Sequence, residues 1–257
     1  MATRSILIGL MMLLFAGASS GQDSLSHGAV FPGGITVEYG LGKYSVRDEY
    51  ISGEKYSGTL PSLQVKWSRF HDTYGYYFGL EYRNSARIEN YNVSADITQV
   101  SLSQGYLYPL TKTSLFSRDV YLLLGPSMEF YFFRNEQNIA VQGFDYSQSL
   151  AALLSLGATS EIVYPIRRRF QAEGSLRLSI LSMGVRMVDE EEDDESPVRL
   201  LTLLSGTNAS LRLGVRYHLL SSLSSKLSYR FDVTRISSWD PLLSASDNVL
   251  LGLTYEF

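Results

Sequence analysis

The sequence predicts an all-β chain, a ten-stranded antiparallel up-and-down transmembrane β-barrel. Three observations carry that expectation. Apolar and polar residues alternate with period two in ten separate segments between residues 35 and 257. The connections between those segments alternate long and short. After the first 22 residues no apolar run reaches the length of about 18–20 residues that a spanning helix needs.

Composition narrows the chemistry. The 257 residues include 18 Tyr and 12 Phe, 7 Pro and no Cys. Without Cys there is no disulfide scaffold, Cys-ligated zinc, thiol nucleophile or acylated N-terminal cysteine. A net charge of −4 argues against a nucleic-acid-binding surface, so no nucleic-acid partner is expected.

Residues 1–21 read as a secretory signal peptide. Arg4 is the only charge, Ile6–Phe15 is a continuous apolar run, and Ala16 to Gly21 are small residues suited to cleavage after Ala18 or Gly21. Residues 22–34 form an N-terminal periplasmic segment, and 35–257 form the barrel.

The strands follow in order. Ile35, Val37, Tyr39 and Leu41 alternate with Thr36, Glu38 and Gly40. Leu63, Val65 and Trp67 alternate with Gln64, Lys66 and Ser68. Tyr76, Phe78, Leu80 and Tyr82 oppose Tyr77, Gly79, Glu81 and Arg83. Val100, Leu102, Tyr106 and Tyr108 oppose Gln99, Ser101, Ser103 and Gly105. Leu122, Leu124, Met128, Phe130 and Phe132 face away from Ser127, Glu129 and Tyr131. Leu154, Leu156, Ala158, Ile162 and Tyr164 oppose Ser155, Thr159 and Glu161. Phe170, Ala172, Leu176, Leu178 and Ile180 oppose Gln171, Glu173, Ser175 and Arg177. Ala209, Leu211, Leu213, Val215 and Tyr217 oppose Ser210, Arg212, Arg216 and His218. Leu227, Tyr229, Phe231 and Val233 oppose Ser228, Arg230 and Asp232. Val249, Leu251, Leu253, Tyr255 and Phe257 oppose Asn248, Gly252, Thr254 and Glu256.

An even strand number puts both termini on one side. The long connections are read as 48–58, 84–95, 134–147, 182–198 and 236–246, the short ones as 71–74, 109–118, 165–169 and 220–225. Short periplasmic turns and longer external loops place the N- and C-termini in the periplasm. Trp67, Tyr76, Tyr106, Tyr108, Tyr164, Phe170, Tyr217, Tyr229, Tyr255 and Phe257 then form an interfacial girdle near the periplasmic end. Tyr82, Phe130 and Phe132 form a sparser outer one.

The last seven residues, Leu251-Gly252-Leu253-Thr254-Tyr255-Glu256-Phe257, resemble the C-terminal signature strand of bacterial outer-membrane β-barrels. Tyr121-Leu122-Leu123-Leu124-Gly125-Pro126-Ser127-Met128-Glu129 is similar to the central strand of small barrels of the PorT-like and OmpX-like kind. The resemblance implies outer-membrane location in a Gram-negative bacterium. It also implies that the barrel-assembly machinery reads Leu251, Leu253, Tyr255 and Phe257 as an assembly signal.

The candidate site is the lumen. Inward positions carry Glu38, Glu81, Glu129, Glu161, Glu173, Asp232 and Glu256 against Lys66, Arg83, Arg177, Arg212, Arg216 and Arg230. This near balance predicts ion pairs that plug a narrow interior, because a desolvated charge needs a partner. The runner-up expectation is a narrow path for ions or small solutes.

Asp189, Glu190, Glu191, Glu192, Asp193, Asp194 and Glu195 form seven consecutive carboxylates in the longest external loop. They repel one another and are solvated. Their alternative use is to bind divalent cations that bridge to lipopolysaccharide or a basic partner. They lack the spacing and turn Gly of an EF-hand loop, so no dedicated metal site is expected.

The three histidines, His27, His71 and His218, stand away from the outer rim, and His218 near Glu256 reads as a structural pair. No catalytic residues and no cofactor are assigned. The expected function is non-enzymatic, through external loops or as a component of an envelope complex. The expected partners are outer-membrane lipid and lipopolysaccharide, the assembly machinery during insertion, and an envelope protein. A lipid-modifying or proteolytic barrel is the distant alternative.

Overall fold

The computed structural model describes residues 33–49, 52–71, 73–89, 94–115, 118–138, 148–167, 169–188, 198–239 and 241–257. The signal-peptide assignment, most of the N-terminal segment, His27 and the acidic run Asp189–Glu195 lie outside them.

Eleven strand segments follow one another: β1 Gly34–Asp48, β2 Ser52–Phe70, β3 Gly75–Glu89, β4 Ser94–Leu115, β5 Arg118–Asn138, β6 Gln148–Arg167, β7 Phe170–Val188, β8 Val198–Thr202, β9 Gly206–His218, β10 Leu223–Ile236 and β11 Leu242–Glu256. Successive strands pair antiparallel, except that β8 and β9 both pair with β7, and β1 pairs with β11 from Gly34 opposite Glu256 to Asp48 opposite Leu242. The sheet closes on itself and leaves no free edge along this seam, the arrangement that lets strands cross a bilayer. β8 and β9 share one stave. β7 pairs with β9 from Phe170 to Leu178 and with β8 from Leu181 to Val185. The barrel therefore has ten staves, and the described ends, Gly33 and Phe257, lie together at one end.

Outward residues make a lipid-facing belt. Leu251 is 68%, Leu253 55%, Tyr39 56% and Leu41 53% exposed. Charge faces in and hydrocarbon faces out, the reverse of a soluble barrel.

Two expectations about the strands are corrected. Most residues assigned to connections are strand. β2 starts at Ser52, β3 runs to Glu89, β5 to Asn138 and β7 to Val188, while β4 reaches Leu115. The loops at the far end shrink to 49–51, 90–93, 139–147, 189–197 and 237–241. The cause is a change of phase. In β1 the apolar set passes from the outward odd positions Ile35–Leu41 to the inward even positions Tyr44 and Val46, both buried. The strand leaves the lipid at this level, so Lys43 and Arg47 face water while apolar side chains turn inward.

The second correction concerns Tyr229. It pairs with Val249 and Leu213, whereas Tyr255 pairs with Leu223, six positions away along β10. Six residues span about 20 Å of strand. Tyr229 therefore lies outside the girdle near the termini. The girdle itself is well formed: Trp67 meets Tyr76 edge-on at 5.6 Å, Tyr76 stacks on Tyr106 at 5.1 Å, and Phe170 lies 4.7 Å from Tyr217.

The inward apolar residues of the far end form a core. Tyr44, Tyr56, Leu60, Ile88, Ile97, Phe133, Leu153, Leu201, Ile236 and Leu242 are buried together, with Trp239 packed against them. They cap the lumen at the end opposite the termini.

Candidate functional site

Below that cap the lumen is largely polar, apart from a smaller buried cluster of Tyr77, Leu107 and Leu123 packed against Phe70, and its charges form a stack of ion pairs. Nearest the termini, Glu173 takes Arg216 at 2.5 Å and Lys226 at 2.7 Å. Glu256 takes Arg216 at 3.3 Å, His218 Nδ1 at 3.4 Å and the Ser224 hydroxyl at 2.7 Å. The next level joins Arg212 to Glu38 at 2.9 Å and Lys66 to Glu161 at 2.6 Å. Ser228 donates to Glu38, and Lys66 sits 5.0 Å over the Tyr77 ring. Above these, Arg177 pairs with Glu129 at 2.9 Å, and Asn208 donates to the other Glu129 oxygen at 2.9 Å.

The densest level is a tetrad. Arg83 contacts Glu81 at 2.7 Å and also Asp232, while Arg230 contacts Glu81 at 2.6 Å and Asp232 at 2.8 Å. All four side chains are nearly inaccessible. The tetrad draws β3 and β10 together across the lumen. Small neighbours make the room. A Cβ on Gly252 would stand 2.4 Å from the Glu38 side chain, and one on Gly105 would stand 2.9 Å from the Tyr77 hydroxyl. Over the tetrad, Gln99 donates to Tyr44 at 2.6 Å and to Tyr131 at 3.1 Å, closing the polar zone against the cap.

Within the cap one further pair, Arg186 with Asp48, is buried, and Asn135 donates to Asp48 at 3.3 Å. Sequence reasoning missed Arg186, Asp48 and Lys226 because all three fell on residues assigned to connections or to strand margins. Counting the period through those margins finds them: Asp48 continues the even, inward series of β1, and Lys226 that of β10. With them, eight inward carboxylates (Glu38, Asp48, Glu81, Glu129, Glu161, Glu173, Asp232, Glu256) face eight cations (Lys66, Arg83, Arg177, Arg186, Arg212, Arg216, Lys226, Arg230) among the described residues.

Three cavities follow one another along the axis. The one nearest the termini is lined by Glu38, Lys66, Glu161, Glu173, Arg212 and Lys226. The middle one lies beside Tyr77, Arg177 and Arg212. The third lies between the tetrad and Tyr44. The cap ends the series.

Among the described residues His218, Glu256 and Ser224 form a grouping with hydrolytic residue types. Ser224 faces His218 across the β9–β10 ladder, and both contact Glu256: the Ser224 hydroxyl donates to the carboxylate, and His218 Nδ1 stands 3.4 Å from its other oxygen. The hydroxyl proton is thus directed at the carboxylate and not at the imidazole. His71 lies in the 71–74 turn, its ring 4.9 Å from Tyr74. Leu251, Leu253, Tyr255 and Phe257 all face outward on β11, between 48% and 68% exposed.

No protein-family model matches the chain, and no curated protein matches it. Among solved structures it is similar to the translocator domain of the autotransporter NalP from Neisseria meningitidis, at 11% identity and a TM-score of 0.50, over 100% of this chain and 97% of that one. The outer membrane protease OmpT from Escherichia coli matches at 10% identity and a TM-score of 0.48, over 91% and 99%. Neisserial surface protein A matches at 15% identity and a TM-score of 0.37, over 87% and 97%. At such identities a likeness speaks for fold alone. The chain has the fold of a transmembrane β-barrel.

Proposed function

We propose that this chain is a non-enzymatic outer-membrane barrel whose lumen is closed and whose work is done at its loop-bearing end, through external loops or within an envelope complex. The observation that supports this reading is an apolar cap set over a stack of paired charges, each layer of which would block a hydrated ion. The cap keeps water from the pairs, and opening a buried pair leaves charges without partners. The termini would lie in the periplasm. The acidic loop 189–195 would hold divalent cations and through them lipopolysaccharide phosphates. The outward series Leu251, Leu253, Tyr255 and Phe257 would serve the assembly machinery.

The test is single-channel recording of the refolded protein in a planar bilayer, with heat-modifiable gel migration as the folding control. Folded protein that gives no steps is the expected outcome. Steady, voltage-reproducible steps would replace this reading with a channel, for which the three cavities mark the path. Deleting 189–195 should weaken retention on lipopolysaccharide-coated beads in the presence of magnesium while leaving gel migration unchanged.

A further inference from the structure

The rim at the terminus-bearing end carries arginines on two neighbouring turns. β4 and β5 close through Leu115 opposite Arg118, and β6 and β7 close through Arg167 opposite Phe170. The two turns meet, because Arg118 donates to the Pro165 carbonyl of β6 at 3.3 Å. Arg169 sits in the second turn, and its carbonyl accepts from His218 N at 2.9 Å. Arg118, Arg167 and Arg169 are all exposed, and Arg168 lies outside the described residues.

Both flanks fix the depth of this patch. Phe170, opposite Arg167, pairs on its other side with Tyr217, and both belong to the aromatic girdle. On β6 the girdle residue Tyr164 and the exposed Ile166 directly precede Arg167. On β5 Arg118 leads inward to Leu122 and the exposed Leu124 of the belt. The arginines therefore stand where the apolar wall ends, at the level of the headgroups. Their charge is unopposed. At the other end of the wall Arg47 takes Glu49 and Arg134 takes Glu136, and the lumen arginines take carboxylates as well. Among the described residues Arg118, Arg167 and Arg169 take none. Asp119, next to Arg118 in sequence, accepts instead from the Tyr121 hydroxyl at 3.5 Å.

We infer that Arg118, Arg167 and Arg169 form a site for the phosphate groups of acidic phospholipids in the leaflet at the terminus-bearing end. A guanidinium takes phosphate oxygens in pairs, and its stem can lie along apolar neighbours such as Ile166 and Phe170 while the head stays among the headgroups. An acidic phospholipid brings net negative charge to that layer, whereas a zwitterionic one offsets its own phosphate. The site lies at the opposite end from the loops, so it goes beyond the function proposed above. It rests on the transmembrane fold and is independent of whether the lumen conducts.

The test is titration of the refolded barrel in detergent micelles with short-chain phosphatidylglycerol, and with phosphatidylcholine of the same chains, read by native mass spectrometry. Phosphatidylglycerol should bind more tightly. An arginine beside an anionic headgroup contributes about fivefold. Arg169→Gln should therefore narrow the gap by that factor, and replacing all three arginines by Gln should close it. Arg47→Gln, at the other end, should leave it unchanged. A gap that survives in the triple variant overturns the inference, and so does equal binding of the two lipids to the unaltered chain. Glycerol phosphate, a headgroup without chains, should fail to displace phosphatidylglycerol at equal concentration. Displacement by it overturns the inference in favour of free phosphate, and displacement by hexaglutamate overturns it in favour of an acidic protein. Among the described residues no side-chain hydrogen bond or ion pair engages Arg169. Arg169→Gln thus keeps the test decisive if the triple variant fails to refold by gel migration.

Discussion

Arg230 serves two carboxylates, Glu81 on the strand across the lumen and Asp232 two positions along its own strand. Its terminal nitrogen stands 2.6 Å from Glu81, and its Nε donates to Asp232 at 2.8 Å. Removing it leaves Arg83 as the only cation paired with these two buried acids among the described residues. Arg230→Ala should therefore cost about 3–5 kcal/mol of folding stability, the scale for stranding a buried charge. The pair of Arg47 and Glu49 is a contrast, at 2.9 Å with side chains 53% and 34% exposed. Arg47→Ala should change stability by about 0–1 kcal/mol. Denaturant unfolding of both variants in vesicles checks the ranking, and equal effects would mean that the lumen is wet. The identity and inward direction of these charges were legible in the sequence, because period two assigns a face to each residue. Who pairs with whom was not. Partners such as Lys66 and Glu161 are 95 residues apart and meet only once the barrel closes.

β11 carries the boundary of the belt along its length. Leu251 faces lipid in its middle, while Leu243 faces outward beyond the level of Asp247, next to Arg47 and Arg235. An arginine in the middle of a bilayer costs about 2–4 kcal/mol in a barrel, falling to about 0–1 near the interface. Leu251→Arg should lower unfolding stability by the first amount and Leu243→Arg by the second. A similar large loss at both positions would place the outer limit of the lipid above Leu243. The same change of environment explains why strand ends were hidden in the sequence while strand centres were plain. At the centre, alternation runs lipid outside and charge inside, as in Leu251 against Asn248 and Gly252. Farther out it continues with polarity inverted, as in buried Leu242 and Ile236 against exposed Leu243 and Arg235. Read in a single phase, that inversion looks like the end of a strand. Part of the cap, Tyr56, Ile88, Ile236 and Leu242, was for that reason assigned to connections. Phe133→Ala, deep in the cap, should cost about 3–5 kcal/mol as a core truncation. A loss near zero would mean that the cap is loosely packed.

On the proposed reading the whole barrel places two barriers in series, the cap by packing and the tetrad by charge. Ion flow through a series is set by its tightest element, so relieving one barrier should leave the other in control. Tyr56→Ala with Phe133→Ala removes two large buried side chains from the cap and should give a folded barrel that remains silent in a planar bilayer. Water would then reach Gln99 and the third cavity, but Arg83, Glu81, Arg230 and Asp232 would still bridge the lumen from β3 to β10. Adding Arg83→Ser and Arg230→Ser removes the bridge and leaves Glu81 and Asp232 facing a hydrated path. That fourfold variant should conduct, with a preference for cations from the two freed carboxylates, measured as a reversal potential in a salt gradient. Conductance from the cap variant alone would assign the closure to the cap and make the tetrad a wet selectivity ring. Silence from a folded fourfold variant would place the decisive barrier lower, at Lys66–Glu161 and Arg212–Glu38, where four charges line the cavity nearest the termini.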